Sequence, residues 1–392
     1  MKISDYGLKR PSLQLDPEVD AGIFVGRADV KTRLEDRLKR AIVTGTSLHT
    51  VIYGDYGSGK THSLNYVFKF LGQQKLDVLP IFVRQPRITK KSNPSHLYSS
   101  IISAISMSEI FELFVNTFES IQDRMKDITE LYRRVEALRS IVKNRDFAFV
   151  IHKYYTTRPV EDYSVVKWLS GEKLTVREKA GLSVVSDNSD PFIAAQTLRT
   201  LFKLFNAVAK KYVLLMLDEM EALDILGDAR KQMEFEEFLR ILVSETRNIG
   251  VLVAFTNKMG MEDAPEMFKS TSAVGSRIGY PQNYIWLKEF NEIELTKNFV
   301  KELIGSLRDA KANVEGLVKK AQSQTEDKLS AEYFPFTEES IEVMFDMSTH
   351  SGMIKPLLPR DIEKTLTDAL GDAIIRNKPF VDTEIMSRIM ST

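Results

Sequence analysis

The chain has 392 residues, enough for two or three domains and a sizeable core, and its 43% hydrophobic and 28% charged residues are those of an ordinary globular protein. Lys plus Arg and Asp plus Glu both number 54, so net charge alone does not draw nucleic acid; such a partner needs a local basic face. The lack of cysteine excludes disulfides, thiolate metal sites and Cys nucleophiles, and fits a reducing compartment.

Residues 1–20 are polar, hold two prolines and read as an arm, without the apolar stretch of a signal peptide. Residues 28–43 carry Val30, Leu34, Leu38 and Ile42 at helical spacing, and Gly45 stops that helix. Residues 49–53 form a β-rich run, 63–71 a helix and 78–83 (VLPIFV) a buried strand. From 94 to about 144 the pattern is helical and charged. It returns at 165–168 and 194–209, with 171–190 read as a polar connector. Residues 212–217 (YVLLML) are almost wholly apolar, as in a strand covered on both faces. A helix at 235–245, a buried strand at 250–255 and a short strand at 284–287 follow. Beyond 291 the strands cease, and helices are predicted at 292–308, 312–322, 338–349, 359–376 and 382–390. The alternation predicts an α/β domain with a parallel sheet over 21–290, interrupted by a helical insertion over about 95–200, then an all-α domain over 291–392. No apolar run reaches spanning length, so we expect a cytoplasmic protein without a membrane partner. The five His residues show no ligand spacing, which argues against a structural metal.

Gly54-Asp55-Tyr56-Gly57-Ser58-Gly59-Lys60-Thr61 matches G-x-x-x-x-G-K-[ST], between a buried strand and a helix. Glycines let the backbone curl until several N–H groups face phosphate oxygens, and the helix start adds its positive dipole end. Lys60 is expected on the β- and γ-phosphates, and Thr61 on Mg²⁺. The apolar strand VLLML ends in Asp218 and Glu219, one acid for the metal and one to polarise the attacking water. Glu221 and Asp224 read as solvated charges at a helix start. Thr256-Asn257 closes the next strand, where ligands of parallel sheets sit, so Asn257 is a candidate sensor of the γ-phosphate or the water. Arg277 and Arg360 are candidates for an arginine finger acting on a neighbouring subunit and for a residue coupling nucleotide state to the helical domain.

In this order the segments resemble an AAA+ ATPase of the initiator type, the group of origin-recognition and replication-initiator ATPases. The resemblance rests on FVGR at 24–27, GDYGSGKT, LDEMEAL, TN at 256–257, SR at 276–277 and PRD at 359–361. It implies that Val25, Gly26 and Arg27 lie near adenine; His62, just after the loop, is a further candidate for binding the nucleotide. It further implies that Arg277 is the trans finger, Arg360 the lid sensor, and ATP with Mg²⁺ the ligand. About 120 residues separate the second strand from the acidic one, far more than an ordinary connection, so an inserted helical subdomain is implied. The winged-helix domain that follows the lid in initiators has no counterpart here, which weakens the expectation of origin binding. The segment at 166–174, VKWLSGEKL, is similar to an element of P-loop ATPases from BREX-type phage-defence islands; the pair Trp168-Leu169 also reads as a core anchor at a helix end.

Arg84, Arg87, Lys90 and Lys91 cluster after the second strand, with Thr89, Ser92 and Asn93 as further phosphate donors. A second basic stretch, Arg133, Arg134, Arg139, Lys143 and Arg145, is diluted by Glu130 and Glu136. Three functions fit. The first is an ATP-hydrolysing homo-oligomer, ring or filament, that assembles on duplex DNA and recruits a nuclease, helicase or transposase in replication, transposition or phage defence. The second is a STAND-like signalling switch. The third is a nucleotide-dependent scaffold with little turnover, against which the intact Asp218–Glu219 pair argues.

Overall fold

The computed structural model describes residues 1–86, 88–125, 130–157, 163–226, 228–245, 247–257, 264–325, 328–350 and 357–391. They form two compact units, one of residues 35–53 and 70–286, the other of 1–34, 54–69 and 287–392. Three elements run from one unit into the other: α1 (Ala28–Thr44), β1 (Leu48–Gly54) and α2 (Lys60–Gln73).

The first unit is built on a five-stranded sheet. To β1 it adds β2 (Val78–Val83), β3 (Tyr212–Leu217), β4 (Ile249–Thr256) and β5 (Tyr284–Trp286), in the order β2-β3-β4-β1-β5. The β2–β3, β3–β4 and β1–β5 pairings are parallel. Every residue of β3 is buried, which accounts for its unbroken apolar run. Between β2 and β3 come α3 (Pro94–Ser103), α4 (Met107–Glu119), α5 (Gln122–Met125), α6 (Leu131–Val142), α7 (Arg145–Thr157), α8 (Ser164–Ser170), α9 (Val176–Leu182) and α10 (Pro191–Ala207). The insertion is not a separate knob. Leu97, Phe114, Leu138, Phe147 and Trp168 share one continuous core with Ile81, Leu215 and Val251 of the sheet. In α4 the buried Ile110, Leu113, Phe114, Thr117 and Phe118 follow the spacing of a helix with one covered face. α11 (Ala229–Val243) follows β3, and α12 (Ala273–Ile278) precedes β5.

The 166–174 segment is explained by this core. Trp168 is fully buried, edge-on to Phe147 at 5.5 Å, and its Nε1 donates to Ser186 O at 3.1 Å. Gly171 ends α8 at φ +81°, where a Cβ would meet Ser99 Oγ at 2.9 Å and Tyr98 at 3.0 Å. The buried Asn188 donates to Trp168 O at 2.7 Å and Tyr98 Oη at 3.1 Å and accepts from Thr197 Oγ1 at 2.7 Å, so this polar cluster is satisfied. The connector reading of 171–190 is corrected by α9. Its start is a reciprocal cap between Thr175 and Glu178, which satisfies first-turn donors that a loop would leave to water.

The second unit holds α13 (Ile293–Ser306), α14 (Val314–Gln322), α15 (Glu338–His350), α16 (Pro359–Ile375) and α17 (Thr383–Met390). The arm reading of residues 1–20 is also corrected. Tyr6, Leu8 and Leu13 are buried in one core with Phe299, Leu303, Ile362 and Leu366. Backbone bonds sew this strap down: Lys9 N to Leu307 O at 3.0 Å, Leu13 N to Thr367 Oγ1 at 3.0 Å, Leu15 N to Glu363 Oε2 at 3.1 Å. The Tyr6 hydroxyl donates to Lys378 O at 2.5 Å. Among the described residues no single helix is long and apolar enough to cross a membrane.

Candidate functional site

In the unit of residues 1–34, 54–69 and 287–392, the glycine loop leaves β1 at Gly54 and enters α2 at Lys60. Gly57 and Gly59 have φ of +90° and +99°, conformations that L residues avoid. The helix starts three residues earlier than helical patterning predicts, because Lys60, Thr61 and His62 form its first turn. Lys60 is buried, and its Nζ donates to Gly54 O at 3.1 Å and Asp55 O at 2.9 Å, a cation held over the loop. Ser58 is 1% exposed and its hydroxyl has no hydrogen-bond partner. A buried, unmatched hydroxyl beside a buried ammonium and left-handed glycines suits an acceptor-rich ligand such as a polyphosphate. Asp55 spends its carboxylate locally, accepting from Tyr56 N at 2.6 Å.

Arg360 stands in the first turn of α16, and its guanidinium lies 4.8 Å from the centroid of the exposed Tyr56 ring. A Cβ on Gly57 would come within 3.1 Å of Arg360 Cβ. The expected lid residue is thus at the loop. The 24–27 segment is held by the same unit. Phe24 sits edge-on to Tyr66 at 4.8 Å, and Val25 packs against the helical core. Gly26, at φ +71°, donates its N–H to Glu302 Oε2 at 2.6 Å, and a Cβ there would meet Phe299 Cδ2 at 2.5 Å. Arg27 lies 5.1 Å over Phe290 and donates to Lys288 O at 2.5 Å. Burial lowers its pKa to about 10, which still leaves it charged at neutral pH. His62 bonds Ile23 O through Nε2, and burial lowers its pKa, favouring the neutral ring.

In the unit of residues 35–53 and 70–286, Asp218 follows β3, is buried, and accepts the Glu219 N–H at 3.0 Å. Glu219 has φ +55° and is exposed, so the backbone reverses between the two acids. Asn257 is buried just past β4. Glu221 is not a plain solvated charge, whereas Asp224 is exposed. Glu221 accepts from Thr256 N at 3.0 Å and Thr256 Oγ1 at 2.7 Å, a contact that no local pattern announces. Partial desolvation of its carboxyl, then the charges of Glu221 and Glu266, raise the pKa of Asp224. Arg277 is exposed on α12, with Nη1 donating to Ala273 O at 2.8 Å.

Arg84, Lys90 and Lys91 are exposed; Arg87 lies outside the described residues. Arg84 covers Phe82 at 5.2 Å and lines a cleft of about 590 Å³ with Gln85, His96, Ser99 and Ser100. Thr89, Ser92 and Asn93 have local structural bonds. Thr89 N donates to the buried Ser92 Oγ at 2.9 Å, and Asn93 caps α3 through Ser95 N at 3.1 Å. In the second basic stretch Arg133 pairs with Glu130 at 3.2 Å and Arg139 with Glu136 at 3.1 Å.

The family model described as "BREX system ATP-binding protein BrxC/D" matches residues 18–334. No curated protein matches the chain. Among solved structures, the ORC2 protein of Aeropyrum pernix in ADPNP–ADP complexes is similar at 14% identity and a TM-score of 0.50, covering 93% of this chain and 67% of its own. The ORC1 protein of the same organism in complex with DNA is similar at 13% identity and a TM-score of 0.46, covering 97% and 68%. The first likeness shows the fold, that of the ORC2 protein, and this chain spans about two thirds of either solved chain.

Proposed function

The chain belongs to the BREX system ATP-binding BrxC/D family, and on that premise we propose that it is an ATP-hydrolysing switch that assembles on duplex DNA and recruits a partner enzyme in phage defence. The observation that carries the nucleotide-binding part is the glycine loop, with the buried Lys60 ammonium over it and the unmatched Ser58 hydroxyl within it.

Lys60 exchanges two neutral carbonyl acceptors for phosphate oxygens, a gain in charge-assisted hydrogen bonding. Backbone N–H groups of the loop and the start of α2 carry the rest of the phosphate charge. By motif, Thr61 of one unit, and separately Asp218 of the other, are residues that would hold Mg²⁺, which would supply charge neutralisation along the phosphates. The exposed Glu219 carboxylate is suited to orient a water, and Asn257 to hold it. Arg277 feels the charge of Glu237 and donates to Ala273 O of its own helix, and its exposure on α12 suits a residue that reaches a neighbouring copy. Arg360 reads the nucleotide from the helical unit, moving between Tyr56 and phosphate. Arg84, Lys90 and Lys91 contact DNA phosphates in a salt-sensitive manner.

Equilibrium binding of a fluorescent ATP analogue and steady-state phosphate release test the reading together. Lys60→Ala should lose binding, because phosphate charge is then unmatched. Glu219→Gln should bind as the parent does and release phosphate far more slowly. Unchanged affinity in Lys60→Ala refutes the loop assignment. Undiminished release in Glu219→Gln refutes the role given to that acid, and a parent without turnover would leave a nucleotide-dependent scaffold.

A further inference from the structure

We propose that Glu221 is a positioning residue that fastens the turn bearing Asp218 and Glu219 to the end of β4, and so fixes Asn257 for ATP hydrolysis. The idea rests on the hydrolytic reading above but uses a contact that the reading does not need.

The register of β3 with β4 runs to Leu217 opposite Val253. Ala254, Phe255 and Thr256 extend past that last pair, and Asn257 follows them. β1 flanks the other edge of β4, so beyond this pair it is the β3-facing edge of β4 that has no strand partner, and its backbone groups there need another one. Glu221 does so with both carboxylate oxygens. Oε2 accepts the Thr256 N–H at 3.0 Å and Oε1 the Thr256 hydroxyl at 2.7 Å. A charged acceptor makes each bond roughly twice as strong as a neutral one.

The turn aims Glu221 there. Glu219 reverses the chain at φ +55°, and residues 220–226 form a 3-10 helix. Met220, Leu223 and Leu226 recur at its three-residue repeat and are all buried in the core, which fixes its rotation. Glu221 is then held beside Thr256 by packing, not by chance of rotamer. One carboxylate therefore ties the segment carrying the two acids to the segment carrying Asn257.

A stitch that only stabilised the sheet would lower unfolding stability and leave catalysis alone. A positioning role separates turnover from affinity. In Glu221→Gln the amide nitrogen faces one of the two donors, so one bond is lost at nearly constant volume. Thr256→Val removes the hydroxyl bond, and Thr256→Ser keeps it. For Glu221→Gln and Thr256→Val we expect kcat to fall about ten- to a hundredfold with ATP affinity within about twofold of the parent, and Thr256→Ser to restore most of kcat. Turnover in Glu221→Gln equal to the parent, or a matching loss in Thr256→Ser and Thr256→Val, overturns the proposal. Amide hydrogen exchange at residues 255–257 is the second readout. It should quicken about tenfold or more in Glu221→Gln. Unchanged exchange overturns the fastening whatever the ATPase result. If the parent itself shows no turnover, the hydrolytic reading falls by that result alone, and exchange still decides whether Glu221 fastens β4.

Discussion

Glu363 offers a test in which sign and size both come from the structure. It lies on α16, is 9% exposed, and its carboxylate accepts the Leu15 N–H at 3.1 Å. Burial pushes its pKa from 4.5 up to about 7; Asp20 adds to the rise, while the Leu15 bond and Arg10 oppose it. The folded chain therefore holds a proton there that the unfolded chain releases near pH 4.5. Between these two pH values the folded state binds more protons, so stability falls as pH rises. From 4.5 to about 7, at about 1.36 kcal/mol per pH unit, the loss is about 3 kcal/mol. It is complete above the folded value and absent below pH 4.5. Glu363→Gln imitates the protonated acid and keeps an acceptor for Leu15. Urea unfolding followed by helix circular dichroism, at intervals from about pH 4.5 to 8, should show parent and variant nearly equal at the acid end. The variant should lead by about 3 kcal/mol at about pH 8. A gap that stays constant across that range would show that Glu363 ionises as an ordinary exposed acid, against the burial described above.

Gly26→Ala should cost about 2–5 kcal/mol in the same assay, combining about 1–2 for a left-handed L residue with about 1–3 for the clash with Phe299. Phe299 is itself buried against Phe290, so the ring has little room to yield, and a loss below about 1 kcal/mol would contradict this packing. Arg277→Ala should be inactive alone yet regain phosphate release when mixed with Lys60→Ala, whose own Arg277 is intact; no recovery removes the trans role. Replacing Arg84, Lys90 and Lys91 by neutral residues should flatten the dependence of log affinity for duplex DNA on log salt by about 0.9 for each phosphate no longer neutralised, and an unaltered slope assigns these side chains to solvent.

What the sequence makes legible follows the range of the interactions involved. β2 and β3 are read to the residue: β3, buried between neighbours, is an unbroken apolar run, and β2, at the sheet edge with alternate residues half-buried, is a shorter apolar stretch with polar ends. The glycine loop and the Asp218–Glu219 pair are read from local chemistry at fixed spacing. The strap at 1–20 is not legible as packed structure. Tyr6, Leu8 and Leu13 have no helical or strand period, and their partners lie hundreds of residues downstream. α9 escapes the pattern although Thr175 and Glu178 stand at capping-box spacing, since the apolar positions around it are few. α7 escapes it where charged first residues hide Phe147, Val150 and Ile151. The Glu221–Thr256 contact joins residues 35 apart in the sequence, and no one-dimensional pattern encodes it. Arg360 at the glycine loop is expected from motif order; its resting place on Tyr56 is not.

The strap has a consequence for biosynthesis. Tyr6, Leu8 and Leu13 leave the ribosome long before Phe299, Ile362 and Leu366. At about 5–20 residues per second the leading apolar residues wait roughly 15–70 s for the surface that covers them. The sheet-bearing portion can condense in that interval, but the helical bundle closes only when early and late parts of the nascent polypeptide meet. Polar substitutions at Tyr6, Leu8 or Leu13 therefore burden a late step of maturation and not the first.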